Sequence, residues 1–100
     1  MPFEQFIPRP LIGSAIQTYT PKASGVYGIL NAGTWIFIGE TDDIRAALLK
    51  HLQEPHTPEM QENPTGFVFE VCDRASTAAR LDRLVVEYEP ICNRRSSGAT

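Results

Sequence analysis

The sequence predicts an α/β domain of the α+β kind: a small three-stranded antiparallel sheet flanked by helices, preceded by an N-terminal extension. Three observations predict it. Two apolar runs, "VYGIL" (26–30) and "TWIFI" (34–38), flank the turn residues Asn31-Ala32-Gly33. An apolar stripe at helical spacing follows at once. A third, alternating run at 66–73 then leads into a second helical stripe that ends at Pro90. One hundred residues hold one domain with a modest core.

Residues 1–22 are expected to stand outside the regular part of the chain. Pro2, Pro8, Pro10 and Pro21 interrupt helices and central strands. Between them Leu11 to Thr20 is rich in β-branched and aromatic residues, which predicts an edge strand or an arm against the core or a second copy of the chain. The regular domain spans 23–95, and 96–100 read as a disordered tail.

The two runs around Asn31-Ala32-Gly33 predict a hairpin, since Asn and Gly tolerate positive φ. Four consecutive apolar positions in the second run imply burial on both of its faces. Thr41 or Asp42 is then placed to cap a helix whose inner stripe is Ile44, Ala47, Leu48 and Leu52. His51 and His56 read as surface residues. A polar, proline-bearing loop follows, with one short helix predicted at "TPEMQE" (57–62) from a cap, a proline and an acid in succession. In "GFVFEVCD" (66–73), Phe67, Phe69 and Val71 share one face of a strand, and Val68, Glu70 and Cys72 the other. Ser76 or Thr77 is expected to cap the last helix, from Ala78 to Glu89, with Leu81, Leu84, Val85 and Tyr88 as its stripe.

Composition narrows the function classes. Hydrophobic residues make up 42% and charged residues 21%, as in soluble globular proteins. No apolar run approaches the roughly 20 residues a membrane helix needs, so no membrane partner is expected. The first ten residues lack the pattern of a signal peptide, and a cytoplasmic location is the expectation. The net charge of −3 weighs against strong nonspecific nucleic-acid binding. Five arginines against three acids between Arg74 and Arg95 leave room for a local basic patch or a solvated helix face. Cys72 and Cys92 read as free thiols. A zinc site from them with His51 and His56 lacks the close-spaced pairs such sites use.

Gly25-Val26-Tyr27 and Phe37-Ile38-Gly39, separated by a hairpin and followed by "LVVEYEPICN", resemble the signature of the GIY-YIG nuclease superfamily. The resemblance covers about residues 23–95. It implies metal-dependent phosphodiester hydrolysis, in which a glutamate on the last helix holds a divalent cation, an arginine on the first helix binds the scissile phosphate, and tyrosines of the two strands orient or deprotonate water. Carried over, it matches Tyr27 and Asn93. Phe37 replaces the second tyrosine and Glu40 reverses a common basic position. Ala47, eight residues after Gly39, replaces the arginine, and Leu81, twelve residues before Asn93, replaces the glutamate. A leucine removes the hard oxygen ligand that Mg²⁺ requires.

The expected function is therefore a catalytically degenerate domain acting as a binding module, with no cofactor and with a protein or nucleic acid as partner. Tyr27 and Asn93 are its family-matched remnants; Glu40, Trp35 and Arg45 are candidate binding residues. One alternative is an endonuclease with a rebuilt site at Tyr27, Glu40 and Asp82, using Mg²⁺ or Mn²⁺. Another is a structural homo-oligomer formed through the N-terminal extension.

Overall fold

Six consecutive residues, Gly25 to Leu30, are buried because the strand that holds them has neighbours on both edges. The computed structural model describes residues 8–93. Its elements in order are β1 (Arg9–Pro10), α1 (Gly13–Tyr19), β2 (Gly25–Asn31), β3 (Thr34–Thr41), α2 (Ile44–Gln53), α3 (Pro58–Gln61), β4 (Gly66–Val71) and α4 (Arg74–Tyr88). The sheet is antiparallel throughout, in the order β1-β4-β2-β3. It has four strands rather than the expected three, the addition being the two-residue β1 paired with β4.

The hairpin turns through Ala32 and Gly33, and it is Ala32 that takes the left-handed conformation, at φ 54°. The register slips between Ile29 and Leu30, which face Phe37 and Trp35, so that Ile36 is an extra residue in β3. This bulge explains the run of four apolar residues. Trp35 and Ile38 pack on the α4 side, whereas Ile36 and Phe37 pack on the other.

Alternation along the strands sorts the core into two layers. Tyr27, Ile29 and Phe67 meet Ile16, Ile44 and Leu48 of α1 and α2 on one face. Val26, Ile38 and Val68 meet Leu84 of α4 on the other, with Leu81, Val85 and Tyr88 around them. At 15 and 10 residues, α4 and α2 are the longest helices of the described chain, and both carry the expected stripes.

Three boundaries differ from expectation. The segment Leu11 to Thr20, expected as an edge strand or arm, holds helix α1. Leu11, Ala15 and Ile16 turn inward at helical spacing. The hydroxyls of Thr18 and Thr20 donate to the carbonyls of Ser14 and Ile16, four residues back. A β-branched residue can thus sit on a short helix when packing favours it, and packing outweighs intrinsic preference. At α2, Asp43 is the N-cap instead of Thr41 or Asp42. Its carboxylate accepts from the Ala46 N–H at 3.0 Å, and the Asp43 N–H is itself bound by the Thr41 hydroxyl. At α4 the helix begins at Arg74 behind Asp73, one turn before the expected caps, and Thr77 is buried inside it. Glu89 ends α4 in the left-handed region at φ 47°, directly before Pro90.

Candidate functional site

Tyr27 stands on β2, pointing at α2, and is 6% exposed. Its ring lies 6.1 Å from that of Phe37 and 5.6 Å from that of His51, which is likewise 5.6 Å from Phe37. The Tyr27 hydroxyl and His51 Nε2 are 2.9 Å apart. On its far side, His51 Nδ1 lies 3.5 Å from Glu59 Oε1 of α3. These contacts order the protons along the line. A carboxylate only accepts, so the Glu59 charge favours the tautomer with the imidazole proton on the nitrogen facing it. In that tautomer Nε2 accepts from the phenol.

The electrostatics agree with this order. Burial, then the nearby Glu59 charge, raises the Tyr27 phenol well above its ordinary value and keeps it protonated. Burial lowers the His51 imidazole against the opposing pull of Glu59 and Glu54, with Lys50 adding to the lowering. A native state that prefers neutral His51 binds fewer protons there than the unfolded chain. The stabilising contribution of His51 is thus complete above about pH 6.5, the unfolded value, and is lost as pH falls through the lowered native value. Urea midpoints measured at pH 7.5 and 5 should fall with acidification, and the fall should be smaller in His51→Gln.

Gly39 makes room for this arrangement. A Cβ there would lie 2.9 Å from the Tyr27 hydroxyl oxygen and 2.8 Å from the Phe37 ring. The requirement is for space, because no described glycine has positive φ. The last residue of Phe37-Ile38-Gly39 is thus set by the tyrosine paired opposite it in the ladder.

Beside Tyr27, between the end of β3, α2 and α3, opens a groove of about 470 Å³. Ala47 lines it, together with Glu40, Lys50 and Glu54. The fold therefore brings Tyr27, Glu40 and Ala47 into one place. His51, expected at the surface, belongs there too, with a side chain only 11% exposed. A signal for it existed: position 51 continues the Ile44, Ala47, Leu48 stripe at helical spacing. His56 is exposed as expected.

The other candidates lie elsewhere. Arg45 donates through Nε and Nη2 to the Thr20 carbonyl, at 3.0 and 2.6 Å, and so ties α2 to the end of α1 rather than facing the groove. Trp35 rests on Tyr88 of α4, ring centroids 4.2 Å apart, and fills the space above Gly28. Leu81 packs in the layer on the α4 side of the sheet, opposite Tyr27, and Asp82 is exposed on the same helix. Asn93 reaches the backbone of β3: its Oδ1 accepts from the Ile38 N–H and its Nδ2 donates to the Ile38 carbonyl, both at 2.7 Å. Cys72 and Cys92 are not joined in a disulfide.

No protein-family model and no curated protein matches this sequence. Solved structures do match it. One is a tyrosine-to-phenylalanine point mutant of the GIY-YIG N-terminal endonuclease domain of UvrC from Thermotoga maritima, bound to its catalytic divalent cation. It is 24% identical, with a TM-score of 0.63, covering 76% of this chain and 92% of that one. An asparagine-to-alanine point mutant of the same domain is 23% identical over 76% of this chain and 91% of that one, with a TM-score of 0.63. The magnesium-bound form is 22% identical, at a TM-score of 0.62, over 76% and 92% of the two chains. The fold of this chain is thus that of a GIY-YIG endonuclease domain.

Among the described residues no group of three or more His, Cys, Asp or Glu side chains is placed to hold a metal ion together. In the groove, both nitrogens of His51 are already engaged, by Tyr27 and by Glu59.

Proposed function

We propose that this domain uses the GIY-YIG scaffold to bind a partner and does not hydrolyse phosphodiesters. The observation that carries the reading is the groove beside Tyr27. Ala47 lines it where the family resemblance calls for a phosphate-binding arginine. The nearest arginine in sequence, Arg45, is spent on the Thr20 carbonyl. Leu81, at the position of the metal-binding glutamate, sits in an apolar layer. Lys50 is the one cationic side chain in the lining, set among Glu40, Glu54 and Glu59, so the groove offers little to match the charge that develops on a phosphate under attack.

Incubation of the full chain with supercoiled plasmid and with branched DNA, in Mg²⁺ and in Mn²⁺, tests the reading. No cutting above the buffer control is expected. Metal-dependent cutting that disappears in Tyr27→Phe would overturn it.

A further inference from the structure

The hydrogen-bond polarity of the Tyr27 groove selects its occupant. In the tautomer that the Glu59 charge favours, the Tyr27 hydroxyl donates to His51 Nε2 at 2.9 Å, and its oxygen then offers a ligand only a lone pair. The Thr41 hydroxyl, also in the groove, donates to the Asp43 carbonyl at 3.2 Å and is spent in the same way. Glu40, Glu54 and Glu59 add acceptor oxygens, and Lys50 is the one cationic side chain in the lining. A phosphate, which only accepts, would meet acceptors and a negative field. A donor-rich cation would meet its complement. Tyr27 and His51 further give the groove an aromatic flank, on which a flat delocalised cation is stabilised more than a hydrated ammonium.

We propose that the groove receives an arginine side chain presented by a partner protein, its guanidinium donating to the Tyr27 oxygen and to the groove carboxylates. This rests on the reading that the domain binds rather than cuts. It specifies the chemistry of the partner and reverses the charge expected of a nucleic-acid substrate.

The test is an amide NMR titration of the full chain with four probes: a short arginine-glycine repeat peptide, its glutamate-glycine counterpart, a single-stranded oligonucleotide, and MgCl₂. The arginine peptide should give saturable shifts at Gly39, Lys50 and His51, and the other three should not. The double variant Glu40→Lys with Glu54→Lys should weaken arginine-peptide binding by about tenfold, the sum of two modest ion pairs. Tyr27→Phe, which removes one acceptor, should weaken it by about three- to tenfold. Asp82→Lys, an exposed charge reversal on α4, should leave it unchanged. Unshifted amides far from the groove report that each variant is folded. The proposal is overturned if the Gly39, Lys50 and His51 amides answer to the oligonucleotide or MgCl₂ instead. It is equally overturned if they ignore the arginine peptide, or if Asp82→Lys weakens binding as much as the groove variants. Metal-dependent DNA cutting defeats the binding reading itself; loss of peptide binding without cutting defeats only this proposal.

Discussion

Phe67→Ala should destabilise the domain by about 3–5 kcal/mol, a large share of what a domain of this size possesses. Phe67 is fully buried and occupies the middle of the α1–α2 layer. It pairs with Arg9 of β1 on one side and Ile29 of β2 on the other, so both ladders of β4 pass through it. Its ring also stacks on Phe69 at 6.4 Å. Truncation removes the transfer energy of the ring and leaves a cavity between a sheet and two helices, which cannot close without moving both. Urea unfolding followed by circular dichroism measures it. A loss under 1 kcal/mol would mean that this layer collapses freely onto the vacant volume.

Asn93→Ala should cost about 2–4 kcal/mol, because it removes two short hydrogen bonds and strands both partners, the N–H and carbonyl of Ile38. Ile38 is itself fully buried, so water replaces those bonds poorly. The effect should appear as lower stability with groove chemistry intact. Arginine-peptide binding by the folded fraction of Asn93→Ala should match that of the unchanged chain. A variant of full stability that has lost peptide binding would place Asn93 in recognition instead. The same urea unfolding, set beside the NMR titration, separates the two.

Much of the fold was legible because its local signals agree with its packing. Asn31-Ala32-Gly33 marks a hairpin, Pro58 opens a short helix, and Pro90 closes the last one. Leu11 to Thr20 misled because its composition favours strand, while the deciding fact, that Ile16 fits against α2, is tertiary. The start of α4 was missed for a related reason. Asp73 caps without a side-chain bond, and so has no stronger claim in sequence than Ser76.

The site was legible in part. Tyr27, Glu40 and Ala47 are gathered by a register that the two glycine-aromatic clusters announce. Trp35 and Arg45 look equally available for binding on paper, yet each is consumed by a contact with a distant element, Tyr88 and Thr20. The link from His51 to Glu59 depends on how the 54–57 segment folds α3 back over α2, and no spacing rule encodes that return.

The ends of the sheet bear on how the protein behaves in company. Open strand margins invite strands from other molecules, and natural sheets blunt them. One margin here is β1, only two residues long and ending in a proline that has no N–H to offer. At the other, the Asn93 amide occupies the outward groups of Ile38 as a passing strand would. An incoming strand at that margin must first evict a side chain making two hydrogen bonds. The residue that the family resemblance marks as a remnant of catalysis thus occupies, in this chain, backbone groups that an incoming strand would need.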